Sequence, residues 1–233
     1  TNPLLRKEYL MKAVLQSEFA YIRTTFVATI ISFAVVYIVL YFSTKLMAPL
    51  SALCAMEPLL FLFTFASADA ANGWGRFRAA LPVSRRDIIA GRYTMLLLLS
   101  IATIVACIAL GTLTNVLAGG ISDSFECLPA IEIAGICVTT TAAMLIIVAF
   151  VQPFLIKFGN VAGVRYAMIA FFVCAFAVFG CINYLVPSDF LAVAGQWMDE
   201  NIELFVIICA AVALASYATS GAVSLRIYQR KDL

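Results

Sequence analysis

The 233-residue chain is 64% hydrophobic and only 12% charged, against about 45–50% and about 25% in an ordinary soluble domain, and its mean hydropathy is +1.03. That balance excludes a water-soluble globule, which needs charge to coat its surface, and equally a disordered tail. The chain has no histidine and a net charge of +2, so the commonest general base and metal ligand is missing and the placement of charge matters more than its sum.

The chain opens with Leu4, Leu5, Met11, Leu15, Phe19 and Ile22 near one helical face, while Arg6, Lys7, Glu8, Lys12 and Glu18 fall mostly on the other. This spacing predicts an amphipathic helix over residues 1–23, lying at the cytoplasmic interface before the chain turns into the bilayer. Such a helix either anchors the first span or offers a docking surface to a cytoplasmic partner.

A helical span needs about 20 mostly apolar residues. Six such stretches occur, at about 24–44, 47–68, 93–118, 130–152, 165–187 and 203–223. They are continuously apolar and lack the alternation of barrel strands. The expected fold is an all-α membrane protein with six transmembrane helices in a domain over 24–223, closed by a cytoplasmic tail at 224–233.

Glu57 is the one acidic residue well inside a span, and Pro58 is its neighbour. An ionised carboxylate there is costly unless it faces water or a partner. One reading makes Glu57 part of a translocation path or gate near the outer half; the other has the helix start later or break at Pro58, leaving Glu57 near the interface. Asp69 at the cytoplasmic end of the same span is easily solvated, and Glu132 suits the first turn of span four.

Between spans two and three, residues 69–93 carry five arginines within seventeen residues. Trp74, Phe77 and Leu81 recur at helical spacing, predicting a short amphipathic helix over 73–81 that Pro82 ends. Ser84, three residues before Asp87, is a capping-box-like pair that would start the next helix. The loop is either a topogenic segment gripping anionic lipid or a transverse helix offered to a soluble partner. On the other face, residues 188–201 place Phe190, Ala194, Trp197 and Met198 on one side of a small surface helix, with Ser188 as its cap and Trp197 at headgroup level.

The basic residues orient these elements. Fourteen of the fifteen Lys and Arg fall before span one, between two and three, between four and five, or after six; Lys45 alone lies opposite. The positive-inside rule therefore places both termini in the cytoplasm. The scattered cysteines form no CxxC pattern and read as small apolar residues. No lysine follows a glycine anywhere, so the GxxxxGK[ST] phosphate loop is missing. No nucleophile elbow or metalloprotease helix is present either, and no metal site is expected.

The run from Trp74 through LPVSRRDIIAGRY (81–93) resembles the loop after the second span of ABC type-2 transporter permeases, with Arg92 where these proteins usually carry Lys. LLRKEYL (4–10) and SLRIYQRKDL (224–233) are similar to the family's two ends. The resemblance implies a non-catalytic subunit in a bacterial cell membrane, paired with a second permease subunit in a homo- or heterodimer and docked on a separate cytoplasmic ABC ATPase. ATP and Mg would be bound by that ATPase, with no cofactor in this chain and no nucleic acid among its partners. The resemblance further implies a coupling helix that contacts the ATPase through Trp74, Phe77, Leu81, Pro82, Arg85 and Arg86. The cargo expected is an amphipathic peptide, such as a toxin or antimicrobial, or a hydrophobic small molecule. The alternative is a non-transporting scaffold or sensor that recruits a soluble protein through the same basic loop.

Overall fold

The computed structural model describes residues 3–71, 84–121, 125, 127–185 and 187–230. Among these, the elements are helices: α1 (Pro3–Thr44), α2 (Ala48–Ala71), α3 (Arg85–Gly119), α4 (Ala130–Phe158), α5 (Asn160–Leu185), α6 (Ser188–Glu200) and α7 (Ile202–Gln229). Five of them are long and apolar enough to cross a bilayer, over Ile22–Thr44, Ala48–Ser67, Arg85–Gly119, Ala130–Phe158 and Ile202–Gln229. In α5 the apolar stretch among the described residues is Ala162–Ala177.

The first expectation to change concerns the N-terminus. The interfacial helix and the first span are one continuous helix of 42 residues, with no turn between them. The reason is chemical: no glycine or proline lies between Pro3 and Pro49, so nothing interrupts the hydrogen-bond ladder. At 1.5 Å per residue α1 is about 63 Å long, roughly twice the hydrocarbon thickness. Its first turns must therefore extend beyond the bilayer. The side chains that would make this extension amphipathic lie outside the described residues.

The α1–α2 connection is tight. Lys45 adopts φ 62° and its N–H donates to the Tyr41 carbonyl at 2.8 Å, an αL cap that few residues other than glycine accept. Its ammonium lies 5.7 Å from the Phe125 ring centre. Nearby, the Tyr37 hydroxyl meets Met47 Sδ and Thr114 Oγ1, each at 3.1 Å, fastening the end of α1 to α3.

The remaining helices gather around α4, which packs against α2, α3, α5 and α7. Two buried clusters result. One joins Phe61, Phe65, Leu96, Leu99, Val148 and Tyr217; the other joins Tyr37, Tyr41, Leu50, Cys54, Cys107 and Ile133. Lipid is as apolar as leucine, so close packing and interhelical hydrogen bonds must hold such a bundle. Gly111 permits one close approach, since a Cβ there would lie 2.9 Å from Leu50 and 3.0 Å from Ile133.

The α4–α7 contact shows the hydrogen-bonding side of this. Pro153 inside α4 has no N–H, which leaves the Ala149 carbonyl without its helical donor. Ser220 of α7 donates to that carbonyl at 2.5 Å. Tyr93 of α3 meets Ser220 at 2.8 Å and Ser224 at 2.7 Å. Since the single Ser220 proton goes to Ala149, Tyr93 donates to Ser220 and Ser224 donates to Tyr93. Tyr217 completes the set by donating to the Tyr93 carbonyl at 3.0 Å.

Two smaller expectations also shift. α6 is present, with Phe190, Trp197 and Met198 exposed along it, but Pro187 occupies the N-cap position and no side chain caps the helix. Ser188 is instead its first residue. α2 starts at Ala48 and runs unbroken through Pro58, so the helix neither begins after Glu57 nor breaks beside it.

Candidate functional site

Glu57 is the tenth of the twenty residues from Ala48 to Ser67, close to the middle of that apolar stretch. It is 2% exposed, and its Oε2 is buried without a hydrogen-bond partner. Its position along α2 explains this isolation. Cys54, one turn before it, belongs to one buried cluster; Phe61, one turn after, belongs to the other. On α3, Thr103 likewise falls between Leu99 and Cys107, members of the two different clusters. Glu57 and Thr103 thus meet at a seam where the two cores do not close on one another.

A cavity of about 270 Å³ occupies this seam between α1, α2 and α3. Ile30, Phe33, Leu53 and Leu110 form apolar walls, while Glu57, Thr103 and Cys107 supply its side-chain polar atoms. The Thr103 hydroxyl donates to the Leu99 carbonyl at 3.0 Å, so toward the cavity its oxygen acts only as an acceptor. Ala109 and Leu113, which also line it, are exposed on the outer face of α3. The cavity therefore has a lateral mouth.

The second candidate region is the start of α3. Ser84 caps this helix: its hydroxyl accepts from the Asp87 N–H at 3.1 Å and donates to Asp87 Oδ2 at 2.6 Å. This is the pairing anticipated from the sequence, with one adjustment. Aspartate is a methylene shorter than glutamate and closes on the Ser84 hydroxyl rather than on the backbone behind it. The cap directs Arg85 and Arg86 out of the helix end, both exposed. Arg85 Nη1 donates to the Gln229 carbonyl at 3.1 Å, tying the first turn of α3 to the last turn of α7, where helix carbonyls carry partial negative charge. Arg86 borders a groove of about 440 Å³ between α3 and α7, beside Tyr93 and Tyr217. Trp74, Phe77, Leu81 and Pro82 lie outside the described residues.

Among the described residues, no group of three Cys, Asp or Glu is arranged to hold a metal ion. Sequence reasoning singled out Glu57 but missed its surroundings. Residues 30, 33 and 34 on α1, 53 and 57 on α2, and 103, 106, 107 and 110 on α3 each follow helical spacing. The spacing gives a face for each helix; which faces meet is a matter of packing.

The family described as ABC-2 family transporter protein matches residues 14–229, a stretch that takes in α2 to α7 whole and most of α1. No curated protein and no solved structure matches the chain.

Proposed function

Since the chain belongs to the ABC-2 family of transporter proteins and is thereby a multi-pass membrane permease component of an ABC transporter, we propose that it forms half of a dimeric export pathway. ATP hydrolysis in this family lies in a separate subunit. In our reading α5 is the sixth span and both termini are cytoplasmic. The cargo is an amphipathic or hydrophobic substrate, foremost a peptide. The segment from Trp74 to Arg86 is the coupling element: Trp74, Phe77, Leu81 and Pro82 supply an apolar anchor, and Arg85 and Arg86 supply register and encounter rate against an acidic groove on the ATPase. Nucleotide-driven closure of the ATPases would press on this element and switch the two membrane halves between inward- and outward-open arrangements.

The observation that carries the transport reading is Glu57. A carboxyl group buried at mid-span on an apolar cavity is a poor choice for stability, because each kilocalorie spent burying it could be avoided by an aliphatic residue. A pathway gives it a use. A scaffold that only recruits a soluble protein gives it none.

The test is twofold. Purified with a co-expressed ABC ATPase, the wild-type chain should hold the complex, and Trp74→Ala combined with Phe77→Ala should release it. Unchanged complex formation by the double variant would move the docking surface elsewhere. In vesicles carrying the complex, ATP-dependent peptide accumulation with substrate-stimulated hydrolysis is expected. A stable complex that no ligand stimulates would favour the scaffold instead.

A further inference from the structure

We propose that the cavity beside Glu57 binds a membrane-partitioning organic cation: an onium or protonated amine carried on an apolar body. The proposal rests on the permease reading above and narrows its amphipathic or hydrophobic cargo to a small-molecule class in place of a peptide.

The walls define the guest by what they lack. No residue lining the cavity carries a positive charge, and Glu57 Oε2 has no hydrogen-bond partner. A cationic guest would therefore bring the countercharge that the walls do not supply to a carboxylate at Glu57. A calcium or magnesium ion stripped of its water does not fit, because such ions take about six or more oxygen ligands. Here the side-chain oxygens are those of Glu57 and Thr103 alone among the lining residues. An organic cation needs only one carboxylate, and its apolar body matches the rest of the walls. Phe33 contributes an aromatic ring, a surface type that favours onium ions. Thr103, with its proton committed to Leu99, offers an acceptor to the N–H of an amine.

Size and access agree. About 270 Å³ is at the small end of ligand pockets, which run from roughly 300 to 1,000 Å³; it suits the charged end of an amphiphile or one compact cation. The mouth at Ala109 and Leu113 faces sideways from a membrane-spanning helix, so the guest enters from the bilayer rather than from water.

The test is direct binding to the full-length chain in phosphatidylcholine nanodiscs, without ATPase or nucleotide, using radiolabelled decyltrimethylammonium, an amphiphile with a compact onium end. Saturable binding is expected, and decyl sulfate, of the same chain length and opposite charge, should not compete. Glu57→Gln should weaken binding at least tenfold. Ala109→Trp, which narrows the mouth without touching the carboxylate, should do the same. Ala109 is exposed, so this variant should melt with the wild type and decides the matter even if Glu57→Gln fails to fold. Absence of saturable binding to the wild-type chain, equal competition by decyl sulfate, or full binding by either variant would overturn the proposal. ATPase docking is measured separately. Docking retained without cation binding sinks only the substrate class, whereas cation binding retained without docking sinks the coupling assignment.

Discussion

At the scale of single residues, the bundle depends on polar atoms that each have one job. Ser220 is the clearest case, because Pro153 creates the vacancy that it fills: the Ala149 carbonyl accepts from Ser220 Oγ where a backbone N–H would otherwise stand. Ser220→Ala should strand that carbonyl and remove the acceptor for Tyr93. The expected cost is about 0.6–2 kcal/mol, the span of values for interhelical hydrogen bonds in membranes. The mechanism has a sharper signature than the magnitude. In a Pro153→Ala background the residue 153 N–H returns to Ala149, so the same serine substitution should cost measurably less. A double-mutant cycle on thermal unfolding in detergent checks this; equal costs in the two backgrounds would show that Ser220 acts through Tyr93 alone.

At the scale of elements, the joint between α4 and α5 concentrates strain into two glycines of different kinds. Gly159 has φ 81° and ψ 179° with open space where a Cβ would be, a backbone region almost reserved for glycine. Gly163 has ordinary helical geometry, but a Cβ would lie 2.8 Å from both the Leu155 Cα and the Phe154 carbonyl oxygen. Gly159→Ala should therefore cost about 1–3 kcal/mol through conformation alone. Gly163→Ala should cost a similar or larger amount by forcing the two helices apart, overpacking being worth about 1–3 kcal/mol or more. The discriminating readout is a cysteine crosslink between the two helices, which should survive the first change and weaken with the second. Much of the element order was legible beforehand, since hydropathy marks the long helices and Ser84 with Asp87 marks the start of α3. The single 42-residue helix was readable too, from the absence of any breaker before Pro49; the amphipathic pattern drew attention to a boundary that the backbone had no reason to make. Glu57 was visible as a charge in an apolar run. Its partners were not, because Phe33, Thr103 and Cys107 are ordinary members of apolar helices until three particular faces converge.

At the scale of the whole molecule, the decisive quantity is the polarity of charge across the bilayer. Arg85 contacts the Gln229 carbonyl, so the start of α3 and the end of α7 lie together at one end of the bundle. Lys45 and Phe125 lie together in a different cluster, beside the packing of Tyr41 and Phe125. Under the topology proposed above, the positive-inside rule makes the end that carries Arg85, Arg86 and Arg230 the cytoplasmic one. That orientation is a precondition for docking on an ATPase, which is why it carries more weight than the substrate question. A green fluorescent protein fused after Leu233 should fluoresce in bacterial cells, and alkaline phosphatase inserted at Asp123 should be active, since each folds on only one side of the membrane. Moving charge should move the result. Replacing Arg76, Arg78, Arg85, Arg86 and Arg92 by glutamine removes five of the fourteen basic residues on that side and should raise the fraction of chains with reversed reporters. If the reporters read opposite to this in the wild-type chain, the arginine loop faces outward, and no cytoplasmic ATPase can reach it.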